Sequence, residues 1–169
     1  MIDQYGVLFK ETQRFRQWWI WALLLIAPGI LVWGVVQQLV FGVPWGNNPA
    51  SDWLLILLAC LIGVGVPAFM FWVRLDTVVR YEGVYVRFFP FHLKWVAIPF
   101  DLVESVNAVE YSPLREYGGW GIRYGASGKA YNVSGNLGVM LELTDGKRLL
   151  IGSQKAEELG LAITSAMRR

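Results

Sequence analysis

The stretch REYGGWGIRYGASGKAYNVSG, from Arg115 to Gly135, is where residue types and spacing come nearest to chemistry. Glycines that bare backbone N–H groups beside a lysine are what a phosphate-cradling loop requires. The match fails where it matters. A P-loop reads G-x-x-x-x-G-K-[ST], whereas Gly128-Lys129 has Arg123 in place of the first glycine and Ala130 in place of the magnesium-binding hydroxyl. A dinucleotide loop reads G-x-G-x-x-G and opens a helix. The run Gly119-Trp120-Gly121-Ile122-Arg123 is followed by Tyr124 where the third glycine belongs, with no helical period behind it. Gly118, Gly119, Gly121, Gly125, Gly128, Gly135 and Gly138 are therefore read as bulges, tight corners and close backbone approaches in a small, strongly bent sheet.

The remaining reactive residue types are isolated. His92 is the one histidine and has no cysteine or second histidine near it in sequence, whereas a metal site wants three or four ligands; it is expected in an exposed turn. Asp101 and Glu104 have no nucleophile or electrophile beside them and read as solvated strand residues. Asn132-Val133-Ser134 matches a glycosylation sequon on a segment expected in the cytoplasm, and is taken as accidental. Cys60 is the single cysteine and reads as a packing residue within an apolar helix. No catalytic residue, metal site or cofactor is expected. The set Arg87, Phe89, Phe91, Lys94 and Trp95 has a different character: aromatics on or beside a strand can dip into a membrane interface while nearby cations meet lipid phosphates. Core or oligomer packing of Phe89 and Trp95 is the competing reading.

Two elements would hold such a domain at a membrane. The 169 residues are 55% hydrophobic but only 17% charged, and the apolar excess is concentrated in two uncharged runs, Trp18 to Phe41 and Trp53 to Val73. Each exceeds the roughly 20 residues that cross a hydrocarbon core. The first is too long for a secretory signal and lacks its cleavage site, and Pro28 and Pro67 are tolerated within a span. Lys10, Arg14, Arg16, Arg74 and Arg80 flank the runs, while the loop between them has no lysine or arginine. This predicts an inner or plasma membrane protein with both termini cytoplasmic. Ala59 and Gly63 form a small-x-x-x-small pair suited to close helix packing. The net charge of +2 gives no case for nucleic acid.

From Arg74 the period changes to two. Val84, Val86 and Phe88 alternate with Tyr85, Arg87 and Phe89, and Val139, Leu141 and Leu143 alternate with Met140, Glu142 and Thr144 ahead of an Asp145-Gly146 turn, expected to be type I′. A final helix is predicted with Ser153 as N-cap and Ala156, Leu159, Ile163 and Ala166 on one stripe. The fold class is thus α+β: residues 1–73 as an N-terminal segment and helical hairpin, residues 74–169 as about six or seven antiparallel strands closed by one helix.

This layout, with Gly119-Trp120-Gly121-Ile122-Arg123 in mid-domain, Asp145-Gly146 before an apolar strand, then Ile151-Gly152 and a helix, resembles the bacterial pleckstrin-homology-like (PH-like) membrane proteins. The resemblance implies a seven-stranded bent sheet or barrel plugged by the last helix, a tendency to form homo-oligomers and no catalytic residues. The leading expectation is a membrane-anchored assembly or docking module, engaging the bilayer, copies of itself or an unidentified membrane-protein partner. A lipid-headgroup sensor and a subunit of a small transport assembly are the alternatives, and an enzyme is the weakest reading.

Overall fold

The computed structural model describes residues 6–168. The chain divides into two compact units, one of helices from Phe15 to Trp72, the other of sheets. The helical unit runs α1 (Trp18–Val35) into a π-helical turn at Val36–Val40, and α2 (Asp52–Cys60) through a second π turn at Leu61–Gly65 into α3 (Val66–Trp72). The two continuous helices have 23 and 21 residues. At 1.5 Å per residue they are long and apolar enough to cross a hydrocarbon core of about 30 Å. Leu23, Ile26, Ile30, Trp33, Leu57 and Leu61 are exposed along them. The helices meet where Gly63 faces Pro28: a Cβ on Gly63 would lie 3.9 Å from the proline Cβ. The pair Ala59 and Gly63 thus contributes Gly63 to packing within one chain, with Ala59 half-buried. Gln38 ties the connecting loop down, its Nε2 donating to the Ala50 carbonyl at 2.8 Å and to Asp52 Oδ1 at 2.6 Å, while its Oε1 accepts the Trp45 N–H at 3.3 Å.

Among the described residues the sheet unit holds nine strands. β1 (Phe9–Arg14), β2 (Arg74–Val79), β3 (Gly83–Phe89) and β4 (Val96–Pro99) form one antiparallel sheet in that order. β5 (Val103–Glu110), β6 (Gly121–Gly125), β7 (Gly128–Asn132), β8 (Leu137–Leu143) and β9 (Arg148–Gly152) form a second, ordered β5-β8-β9-β7-β6. A short helix, α4 (Pro113–Tyr117), joins β5 to β6, and α5 (Ala156–Met167) ends the chain. The inward faces supply Leu75, Val79, Val84, Val86 and Phe88 from the first sheet and Val139, Leu141 and Ile151 from the second, all at most 2% exposed, while Leu150 points from the other face of the second sheet into a smaller cluster with Tyr111, Tyr117 and Ala130. The predicted stripe Ala156, Leu159, Ile163 and Ala166 of α5 is buried together with Gly160. Full burial of Leu159 and Ile163 stabilises the assembly by roughly 1.5–3 kcal/mol each.

Five expectations are corrected. The boundary at residue 73 fails for Phe9–Arg14, which pairs residue for residue with β2 and belongs to the sheet unit. Among the described residues eight strands, not six or seven, follow from Arg74 onward, and β7 runs parallel to β9, so the second sheet is mixed. The two sheets do not close into a barrel: among the described residues β4 and β6 are terminal strands. Ser153 is not the N-cap, because its hydroxyl donates to Glu11 Oε2 at 2.6 Å and accepts the Lys155 N–H at 2.9 Å, and the helix begins three residues later. The Asp145-Gly146 turn is not type I′, since Gly146 alone has positive φ (77°). The Gly146 N–H bonds the Leu143 carbonyl at 2.8 Å and the Leu143 N–H bonds Lys147, which makes a three-residue loop ending in a left-handed glycine.

Candidate functional site

Lys10, Thr12 and Arg14 alternate along β1 and therefore share a face. Antiparallel register sets Thr12 beside Asp76 and Arg14 beside Arg74; β3 then adds Arg87 beside Asp76 and Phe89 beside Arg74. The opposite faces of β2 and β3 enter the core. The outward face is thus a small polar lattice with a carboxylate at its centre.

Asp76 is only 6% exposed, and every hydrogen bond it accepts comes from this face. Arg87 donates from Nη2 at 2.8 Å and Nε at 3.2 Å to Oδ2, Arg74 donates from Nε at 3.2 Å to the same oxygen, and the Thr12 hydroxyl donates at 2.8 Å to Oδ1. Burial alone would raise the carboxyl's pKa, but these donors and the Arg74 charge outweigh it and hold it below the usual carboxylate range. Asp76 acts as a bracket: it fixes two guanidinium planes. Arg87 is also covered by Trp95, with its Cζ 4.6 Å from the ring centroid, and Arg74 lies 5.1 Å over the Phe89 ring. Such stacking contributes about 0.5–2 kcal/mol and leaves outward N–H groups available to a ligand.

The resulting recess, about 740 Å³, is lined by Lys10, Arg14, Arg74, Asp76, Arg87 and Trp95. Glu11 stands at its margin, but its carboxylate is engaged by the Ser153 hydroxyl at 2.6 Å and the Gln154 N–H at 3.0 Å. Four cations therefore surround one carboxylate that is already bracketed. Guanidinium groups held in this way suit a phosphate or carboxylate, accepted bidentately. Among the described residues no group of three or more His, Cys, Asp or Glu is placed to hold a metal ion.

The structure brings together part of the aromatic and basic set expected from sequence. Arg87 and Trp95 line the recess, and Phe89 supports Arg74 from beside it. Phe91 packs on the core ring Phe88 at 5.9 Å, and Lys94 stands exposed in the β3–β4 turn. Lys10, Thr12, Arg14, Arg74 and Asp76 were not anticipated. Their signal is the period-two run of Lys10, Thr12 and Arg14, which lacks the alternating apolar residues that usually reveal a strand.

The glycine-rich segment serves structure. Gly118 (φ 68°) ends α4 in the left-handed conformation, its N–H bonding the Leu114 carbonyl at 3.1 Å. A side chain on Gly125 would meet the Glu116 carbonyl oxygen and one on Gly128 that of Arg148, the close approaches expected of a bent sheet. Trp120 donates to the Gly135 carbonyl at 3.2 Å, Arg123 donates to the Trp120 carbonyl at 2.9 Å, and Asp145 accepts from Lys147 Nζ at 2.6 Å. Asn132 is wholly buried, accepting the Gly121 N–H at 2.9 Å, so the sequon offers no surface for a glycan. His92 is half-buried rather than exposed, edge-on to Tyr131 at 5.6 Å, and burial together with the Lys129 charge lowers its pKa.

Comparison with curated proteins finds no match. A family profile spans almost the whole chain, residues 2–169, and by that match the protein belongs to the family described as "Family of unknown function (DUF6141)".

Proposed function

We propose that this protein is a non-enzymatic, membrane-anchored module of PH-like architecture whose basic face engages anionic lipid headgroups at the cytoplasmic leaflet. One observation carries the reading: the four cations of the recess include Arg14 and Arg74, a directly paired couple that flanks the helical unit in sequence. Arg74 follows the last helical residue, Trp72, by two positions, so about 7 Å of extended chain separates them. So short a link supports the reading that the paired arginines work at the headgroups. The absence of lysine and arginine from the loop joining the helices supports a cytoplasmic setting. Two packed sheets with a C-terminal helix buried across them support the PH-like reading. Assembly or partner docking is the second reading, favoured by the terminal strand β6, where Tyr124 is 75% exposed.

Native mass spectrometry from mixed phosphatidylcholine–phosphatidylglycerol nanodiscs tests the proposal. The wild-type chain is expected to retain phosphatidylglycerol selectively. Lys10→Glu reverses a charge at an exposed strand position that does not touch Asp76, and each positive residue near such a surface contributes about 1 kcal/mol, so retention should fall roughly 30-fold. Equal retention of both lipids, or no response to Lys10→Glu, refutes the reading.

A further inference from the structure

The two ends of the first sheet differ in kind. At one end the turn from β2 to β3 consists of Arg80, Tyr81 and Glu82. At the other, residues 90–95 join β3 to β4 and read Pro-Phe-His-Leu-Lys-Trp. Turn tips are ordinarily built from glycine, proline, asparagine, aspartate and serine. Here Phe91 and Leu93 are 61% and 76% exposed, with Lys94 exposed beside them. The tip has a fixed shape: the His92 N–H bonds the Phe88 carbonyl at 2.7 Å, the Phe91 ring rests on Phe88, and His92 lies edge-on to Tyr131. This end of the sheet also carries both links to the helical unit. Register sets Arg14, Arg74 and Phe89 side by side, at the end of β1, the start of β2 and the end of β3. Phe91 lies as far past Phe89 in sequence as Trp72 lies before Arg74, and Trp72 ends an apolar helix of 21 residues.

We infer that the turn between β3 and β4 is an interfacial anchor, whose Phe91 and Leu93 enter the boundary between headgroups and acyl chains while Lys94 reaches the phosphates above them. Apolar side chains exposed beside a cation suit that boundary: the rings and methyl groups leave water, and a lysine stem lies along apolar surface with its ammonium group still solvated. A protein partner fits the tip less well. A stable interface buries about 800 Å² on each side, more than two side chains on one turn can offer, whereas a tip tethered to membrane helices through a link of two residues has only to dip into the adjoining leaflet. The inference rests on the membrane-anchored reading above but not on the basic recess, since Phe91, Leu93 and Lys94 are no part of its lining. Apolar insertion needs no anionic lipid, which separates the two experimentally.

The test uses the full chain in pure phosphatidylcholine nanodiscs, where the basic face meets no anionic lipid. An environment-sensitive NBD fluorophore is attached to Lys94→Cys or, as reference, to Glu82→Cys at the opposite end of the sheet, both in a Cys60→Ser background. β2 has six residues, so roughly 17 Å separates the two turns. The Lys94→Cys probe is expected to emit to the blue of the reference and to be quenched severalfold more strongly by lipids spin-labelled high on the acyl chain. Leu93→Ser should return both properties to those of the reference, and Phe91→Ser should act in the same direction; Leu93 is the more exposed of the two, so its replacement leaves the fold undisturbed. Lys10→Glu should leave the signal unchanged. A probe that emits as in water, or one indifferent to Leu93→Ser, overturns the inference. So does a blue shift without quenching by lipid, which assigns the tip to protein, and to a second copy if the shift disappears with a single chain per disc. Insertion without phosphatidylglycerol selectivity refutes the headgroup reading and leaves the anchor standing, whereas selectivity with a water-like probe refutes the anchor alone.

Discussion

Replacing Asp76 tests whether the basic face is built around a bracket or is merely a collection of surface charges. Asp76→Ala removes the acceptor for Arg74, Arg87 and Thr12 and leaves two guanidiniums facing each other across a methyl group. Breaking a fully buried ion pair costs about 3–5 kcal/mol. Here the side chains of Arg74 and Arg87 remain 31% and 25% exposed and can recover hydration, so about 2–3 kcal/mol is the expected loss. In a domain of this size that lowers the melting temperature by roughly 10 °C. Hydrogen exchange of β2 and β3 amides that open globally should accelerate by roughly 30- to 150-fold. Asp76→Asn, which keeps the shape and part of the hydrogen bonding, should lose about half as much. The sign of the pH response follows from the lowered pKa. The unfolded carboxyl titrates near 3.8, so the charge contribution is fully present above that value and disappears as pH falls through the lower folded-state pKa. The gap between wild type and Asp76→Asn should therefore be constant near neutrality and close below 3.8. Unchanged stability of Asp76→Ala, or a gap that widens in acid, would refute the reasoning.

Two other substitutions probe the architecture. Glu11→Ala removes the acceptor for Ser153 and Gln154 and should destabilise β1 by about 1–2 kcal/mol, seen as faster exchange of Phe9–Arg14; coil-like exchange of that segment in the wild type would remove β1 from the sheet. Gly125→Ala forces a Cβ onto the Glu116 carbonyl and should cost about 1–3 kcal/mol in a thermal melt. Gly65→Ala, with open space around it, should leave the melt within about 0.5 kcal/mol of wild type, and equal effects would discount the close approach.

The parts legible in the sequence are those whose signal is local. The alternation of Val84, Val86 and Phe88, the stripe on α5 and the two apolar runs each mark an element by its own period, and each element is present. β1 was illegible because FKETQR carries no apolar alternation and its partner lies across the entire helical unit. Its Gln13 is buried through a bond from Nε2 to the Gly152 carbonyl at 2.7 Å, a contact no short window contains. α4 hid inside a glycine-rich stretch although Ser112-Pro113, a helix-starting pair, was readable at its head. The candidate site suffered most: Arg87 and Trp95 were visible as a basic and aromatic set, but Asp76 acquires its role only when register brings Thr12, Arg74 and Arg87 to it.

The pairing of Arg14 with Arg74 constrains topology and synthesis together. Adjacent strands bonded along their length cannot be divided by a bilayer, so the chain must come back to the side from which it left. Any membrane crossing by the intervening helices must therefore occur an even number of times. The ribosome also delivers β1 before both helices, whereas its partner emerges after them. The first strand must wait, unpaired, while the apolar helices find their place, and the basic face cannot form until they have been made.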